Sequence, residues 1–262
     1  MDAALRTRGV AETYERTLVP SIFAPWAQEI LERARPIGPA DRVLDLGCGT
    51  GIVARLLRER LGGAARITGL DASADMIEMA RTLAPELEWR EGNAMKLPFA
   101  DASFELVVAQ QMLQFVPEPA AALREIRRVL VPGGRLVAAT WRPRHELPLY
   151  EVLGQVAERH LGVPNEKRFL LGDDAALRAM LAEAGFSDVR IDVVTRIDRF
   201  REFPYRLSAL AANFDLSTLS EAEREVRLSA LEAESREAAQ QFITDGVIAA
   251  PSRANLIAAS AT

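Results

Sequence analysis

The chain of 262 residues has one cysteine (Cys48), two histidines (His145 and His160) and two lysines (Lys96 and Lys167). A single cysteine excludes intrachain disulfides, Cys₄ zinc sites and cysteine-ligated iron–sulfur clusters. Two histidines exclude a multi-histidine metal centre, and no metal is expected. No apolar run reaches the ~20 residues of a membrane span, so no membrane partner is expected. The first twenty residues lack the apolar core of a secretory leader, and a cytoplasmic location is expected. The net charge is −5. A protein built to hold nucleic acid carries a basic footprint, so no nucleic-acid partner is expected. Thirty of the 32 basic residues are arginine, which reads as genome composition. What is present is an ordinary globular balance, 49% hydrophobic and 26% charged, enough for one large α/β domain. Nothing in the sequence sets the oligomeric state.

Residues 10–35 carry apolar positions at near-helical spacing, interrupted by Pro20 and Pro25. The breaker cluster Pro36, Gly38, Pro39 follows. RVLDLG then reads as a buried strand, GCGTG as a turn and IVARLLRERL as a helix closed by Gly62-Gly63. ARITGL, LEWREG, FELVVAQ and RLVAAT read as the next four strands. Helices over 73–83 and 119–130 lie among them, and Pro132-Gly133-Gly134 reads as a turn. This alternation predicts a doubly wound, mostly parallel sheet with helices on both faces. Further helices are expected at 148–161, 174–184, 203–214 and 220–242. The last opens with the capping pair Ser220 and Glu223. SDVRIDVV is the sixth strand and ANLIAAS a last one. The whole chain is expected to be one domain: a core over 41–140, a helical cap over 1–35, and the rest on the acceptor side.

The chemistry concentrates at three successive strand ends. Gly47-Cys48-Gly49-Thr50-Gly51 joins the first strand to a helix. Its glycines let a ligand approach the backbone, and the helix start is expected to offer free N–H groups. A dinucleotide fingerprint needs glycine at position 52, where this chain has Ile52. Asp71, in GLDAS at the end of the second strand, suits the two hydroxyls of a ribose. The same residue would also serve as a helix cap, as would Ser73. Gly92-Asn93-Ala94 follows the third strand. Its amide has a donor and an acceptor for an adenine edge, and is equally common turn chemistry. The coincidence of all three at strand C-termini is what favours a ligand site.

VLDLGCGTG, GLDAS, GNAMKLPFADASFELVVAQQMLQFV and REIRRVLVPGG together resemble the class I S-adenosylmethionine-dependent methyltransferases. The similarity is to the small-molecule branch that includes the ubiquinone/menaquinone-biosynthesis type. It covers about residues 41–140 and implies a seven-stranded sheet whose last strand pair is antiparallel. It also implies S-adenosylmethionine as cofactor. Gly47, Cys48, Gly49 and Gly51 would lie under its methionine part. Asp71 with Ala72 would hold the ribose, and Met76 would pack on the adenine. Gly92, Asn93 and Ala94 would meet the adenine edge. Asn93 departs from the family, which usually has Asp there. Gln110 and Gln111 would lie where the cofactor's amino-acid end meets the acceptor. Tyr14 would close over the methionine, or simply pack between helices.

By the same resemblance, the lack of an N/D-P-P-Y motif speaks against amino-methylation of adenine or glutamine amides. The lack of Pro-Cys speaks against cytosine C5 chemistry, and two lysines against a lysine-dependent ribose methylation tetrad. A small organic acceptor is left, apolar or aromatic, methylated on O, N or C. No catalytic base is evident. His145, after the fifth strand, is a weak candidate, and a surface loop histidine is the commoner case. Trp141, Phe169, Phe200, Phe203, Tyr205 and Phe214 supply aromatic surface for a pocket wall or for core. The alternatives are a cofactor-binding protein without transferase activity, and a nicotinamide-dependent oxidoreductase, which Ile52 disfavours.

Overall fold

The computed structural model describes residues 9–62, 66–162, 167–205 and 220–262. Two helices come first: α1 (Tyr14–Phe23), of π type, and α2 (Ala24–Arg33). The expected break at Pro20 does not occur. Pro20 sits inside α1, whose wider turns relieve the clash with the preceding carbonyl. Pro25 falls in the first turn of α2, where a missing N–H costs nothing.

The core then alternates: β1 (Arg42–Leu46), α3 (Ile52–Leu61), β2 (Arg66–Asp71), α4 (Ala74–Leu83), β3 (Glu88–Glu91), β4 (Phe104–Gln110), α5 (Pro119–Val129) and β5 (Leu130–Trp141). After it come α6 (Pro148–Leu161), α7 (Asp174–Glu183), β6 (Phe186–Phe200), α8 (Glu221–Ala239), β7 (Ile243–Thr244) and β8 (Val247–Ala261). The strand order is β3-β2-β1-β4-β5-β8-β6. The pairs through β5 are parallel, and β8 runs antiparallel to β5 and β6. This is the expected doubly wound, mostly parallel sheet of seven strands. A two-residue eighth strand, β7, pairs with β8 outside that path.

Burial explains the pattern. Val43, Leu44, Asp45 and Leu46 of β1 are all buried, because helices cover both faces. Trp26, Ile30, Leu31, Leu57 and Ile77 pack on one face. Leu123, Ile126, Val129 and Leu181 pack on the other. The edge strand β6 is mostly open and runs on to Phe200, well past the SDVRIDVV expected. β5 begins at Leu130, so Pro132-Gly133-Gly134 lies within it. The β4–β5 register shifts there, between Phe104 and Leu106. Ser220 and Glu223 form the expected capping box, but α8 stops at Ala239. The helix expected at 203–214 falls largely outside the described residues.

One buried charge predicts a pH effect. Asp198 of β6 is 3% exposed. Burial pushes its carboxyl up to about 7, against the pull of Ser252, Trp26 and Arg196. An unfolded aspartate titrates near 3.9, so folding favours the protonated form. Its contribution is fully present below about pH 4 and is lost as pH rises through about 7, at roughly 1.4 kcal/mol per unit. Asp198→Asn is expected to flatten part of the fall in melting temperature between pH 5 and pH 8. Calorimetric scans at the two pH values check this. An unchanged slope would contradict it.

Candidate functional site

β1 and β4 are neighbours, and the chain leaves them in opposite directions across the sheet. Open α/β sheets bind ligands outside the strand C-termini at this switch point. A cavity of about 1120 Å³ opens there, lined by the ends of β1 to β5 and by α1. Sites for one drug-sized ligand run to about 300–1,000 Å³, so this one lies just beyond the upper end of that range.

Its floor is the glycine turn. Gly47, Gly49 and Gly51 all have positive φ. Two of these glycines are required by neighbours as well. A Cβ on Gly47 would lie 2.5 Å from Met112 Cβ, and one on Gly51 would lie 2.2 Å from Trp89 Cη2. Gly51 and Cys48 therefore do not line the cavity. Gly51 makes room for the Trp89 ring. Cys48 is buried with its thiol pushed up by burial, and its Sγ–H donates to the Gly49 carbonyl at 3.6 Å.

Four amides of the turn are already paired. Gly47 N and Cys48 N both donate to the Leu70 carbonyl, at 2.7 and 3.1 Å, and Gly51 N donates to Cys48 O at 2.8 Å. Gly49 N donates to Asp71 Oδ2 at 2.8 Å. A pyrophosphate site needs such amides free. Here those of Gly47, Cys48, Gly49 and Gly51 are spent on holding the turn against β2 and itself.

Asp71 does not cap α4. Ser73 does, accepting from Met76 N at 3.4 Å. Asp71 is held instead by Gly49 N and by Ser73 N, which donates to Oδ1 at 2.9 Å. Burial nevertheless raises its pKa, partly offset by those amides. The result is a fixed carboxylate on the cavity wall with lone pairs to spare. Ala72, Met76, Gly92, Asn93 and Ala94 line the same wall. Asn93 Oδ1 accepts from Met95 N at 2.8 Å, the turn chemistry weighed above, while the side chain remains on the cavity.

Asp45, beneath the turn, was not singled out from sequence. It is 1% exposed, its Oδ2 accepts from Ala54 N at 3.0 Å, and burial raises its pKa to about 7. It pins the start of α3 to β1. Glu15 does the same for the cap, accepting from Thr50 Oγ1 at 2.6 Å and from Arg55 Nη2 at 2.8 Å. Tyr14 is thereby placed over the turn. A Cβ on Gly49 would lie 3.4 Å from its hydroxyl, and its ring stacks on Phe23 at 4.9 Å. Glu15→Ala is expected to weaken binding of a ligand seated on the turn about 3- to 10-fold by calorimetry, for the loss of about 1 kcal/mol of latch. An unchanged affinity would show that α1 does not hold the ligand.

The opposite wall lies beyond β4. Gln110, Gln111, Trp141, Tyr150, Arg168, Phe169 and Phe203 line it. Gln110 is 8% and Gln111 4% exposed. Tyr150 is tilted against both Trp141 and Phe169, at 6.2 and 6.5 Å. Burial raises the Tyr150 pKa and lowers that of Arg168. Tyr150 and Arg168 were not foreseen, because neither lies in a motif. Phe200 is core, T-shaped against Phe203 at 4.7 Å. Phe214 lies outside the described residues. His145, in the short turn after Pro143, is exposed and is not among the residues that line the cavity, which is the surface-loop placement weighed above. Among the described residues, no His/Cys/Asp/Glu cluster has a metal-binding arrangement, and no helix is long and apolar enough to cross a membrane.

Comparison with known proteins points the same way. Residues 44–138 match the family model described as a methyltransferase domain. The 2-phytyl-1,4-naphtoquinone methyltransferase of Thermosynechococcus vestitus is 35% identical over 167 residues, 56% of this chain and 72% of that protein. The demethylmenaquinone methyltransferase of Listeria monocytogenes is 32% identical over 188 residues, 64% of this chain and 79% of that one. Among solved structures, a phosphoethanolamine N-methyltransferase of Haemonchus contortus, complexed with S-adenosylhomocysteine, has a TM-score of 0.58 at 19% identity. That match covers 90% of this chain and 52% of the other, and shares the fold.

Proposed function

Because the chain belongs to the S-adenosylmethionine-dependent methyltransferases, we propose that its acceptor is a small, planar aromatic metabolite of the quinol or phenol type. The observation that carries this is the two-sided cavity. One side has a fixed carboxylate and small residues at the ends of β1 to β3. The other, beyond β4, is walled by Trp141, Tyr150, Phe169 and Phe203. The relatives' named quinone substrates agree with such a wall.

The cofactor supplies a methyl group on a sulfonium, which leaves as a neutral thioether. The residues fit that group. Asp71, braced by two amides, takes the ribose hydroxyls. Asn93, Ala94 and Met76 would hold the adenine, and the turn at Gly47–Gly49 with Tyr14 would hold the methionine part. α1 and the segments carrying Tyr150, Phe169 and Phe203 form the cap within a single domain. They exclude water and align the acceptor with the methyl carbon, where most of the rate gain arises. Such a methyl transfer needs no covalent bond to the enzyme. The acceptor gains the methyl and loses a proton.

Among the described residues no histidine or lysine lines the cavity, so the acceptor's own acidity governs the proton. With an acidic chain, a small molecule is favoured over nucleic acid, and a cytoplasmic location follows from the same reading.

The test is methyl uptake from labelled S-adenosylmethionine across hydroquinones, naphthols and phenols, with polar amines as controls. Transfer to the ring compounds is expected, with a rate that rises with pH through the acceptor's own pKa. Transfer only to amines would overturn the acceptor class. Binding without any transfer would favour a cofactor-binding protein.

A further inference from the structure

The end of β4 carries polar groups that the protein itself leaves unmatched. Gln111 has φ +43, a left-handed backbone that costs a side-chain-bearing residue about 1 kcal/mol or more. The conformation is held from both sides. Gln111 N donates to the Ala139 carbonyl at 3.0 Å, and Gln114 Nε2 donates to the Gln111 carbonyl at 3.0 Å. Gln111 is among the residues that line the cavity, and its side-chain amide is buried. Both its Nε2 and its Oε1 lack a protein partner. Gln110 Nε2 donates to the Phe23 carbonyl at 2.8 Å, which leaves Gln110 Oε1 buried and unmatched. Each such group costs about 1–3 kcal/mol unless a ligand satisfies it. Exchanging Nε2 and Oε1 of Gln111 would leave the same inventory.

Position decides which ligand. β4 lies beyond β1, on the side away from Asp71 and Asn93, and its neighbour β5 ends in Trp141. The amides therefore stand at the foot of the aromatic wall, opposite the carboxylate wall.

We propose that Gln111, helped by Gln110, is the polar anchor of the acceptor and binds a neutral hydroxyl on its aromatic ring. The set offers one amide NH2 and two amide carbonyl oxygens. A hydroxyl, which both donates and accepts, matches it. A carboxylate does not, because it would face two amide carbonyl oxygens. Gln111 is thus a specificity residue that selects hydroxylated rings over bare or carboxylated ones. This rests on the aromatic-acceptor reading above.

The experiment is equilibrium binding, so it does not depend on turnover. Protein saturated with S-adenosylhomocysteine is titrated with 1-naphthol, naphthalene and 1-naphthoate, following tryptophan fluorescence. The wild type is expected to hold 1-naphthol about tenfold or more tighter than the other two. Gln111→Met, equal in length but without the amide, is expected to lose that preference. Its affinity for S-adenosylhomocysteine should stay within about twofold, which also shows that it is folded. Should Gln111→Met not fold, Gln111→Asn, which tolerates the left-handed backbone but falls short of the ligand, is expected to lose the preference too. Equal binding of naphthol and naphthalene by the wild type would overturn the proposal and leave the aromatic-acceptor reading standing. A preference that survives in Gln111→Met would do the same. A matching loss of S-adenosylhomocysteine affinity would assign Gln111 to the cofactor's ammonium. Failure of the wild type to bind any of the three would overturn both.

Discussion

Asp71→Ala is expected to weaken S-adenosylhomocysteine binding by about 100-fold or more. In the proposed placement the substitution removes a charged acceptor from the ribose hydroxyls, a loss of about 1.5–3 kcal/mol. It also releases the two amides that now donate to the carboxylate, Gly49 N at 2.8 Å and Ser73 N at 2.9 Å. The turn under the methionine then loses its brace. About 2.8 kcal/mol corresponds to the stated factor. Asp71→Asn keeps one acceptor oxygen and should lose about tenfold. Calorimetric titration of the two variants beside the wild type measures both. Equal affinity in all three would show that the ribose is held elsewhere.

Gly51→Ala is expected to cost about 2–4 kcal/mol of stability. Gly51 has φ +86, where a Cβ costs about 1 kcal/mol or more. That Cβ would also lie 2.2 Å from the Trp89 ring. The ring cannot yield easily: Trp89 is 6% exposed and its Nε1 donates to the Ala84 carbonyl at 2.8 Å. Overpacking of this kind adds about 1–3 kcal/mol. For a chain of this size the melting temperature should fall by about 4–15 °C. Gly162→Ala is the control. Gly162 has φ +72 and ψ 14, the same left-handed region as Gly51, with nothing near its Cβ position, so it should lose only the backbone share. Equal losses in the two variants would show that Trp89 does not enforce the glycine.

The site was legible where one short segment carries its own geometry. The strand, the glycine turn and the acidic residue at the next strand end can be read without knowing what packs on them. The reasons for those residues were not legible. Gly51 looks like a ligand-facing glycine, yet its neighbour is Trp89 on β3, far along the chain. The turn looks like an amide cradle, but its donors go to Leu70 and Asp71, a pairing fixed only when β2 lies beside β1. The acceptor wall was legible only as a scatter of aromatics. Tyr150, Arg168 and Phe203 meet because α6 and the segments that follow fold back over β4 and β5, and no local pattern encodes that. His145 was ambiguous for the same reason: nearness in sequence to the end of β5 left both the cavity and a surface loop open, and it lies exposed on the surface.

The most direct measurement is a crystal structure with S-adenosylhomocysteine and 1-naphthol bound together. The account predicts the ribose on Asp71, the adenine beside Asn93 and Met76, and the sulfur above Gly47–Gly49. The naphthol ring should lie between Trp141 and Phe169 with its hydroxyl on Gln111. A cofactor lying along the aromatic wall, or a naphthol bound outside the cavity, would contradict it.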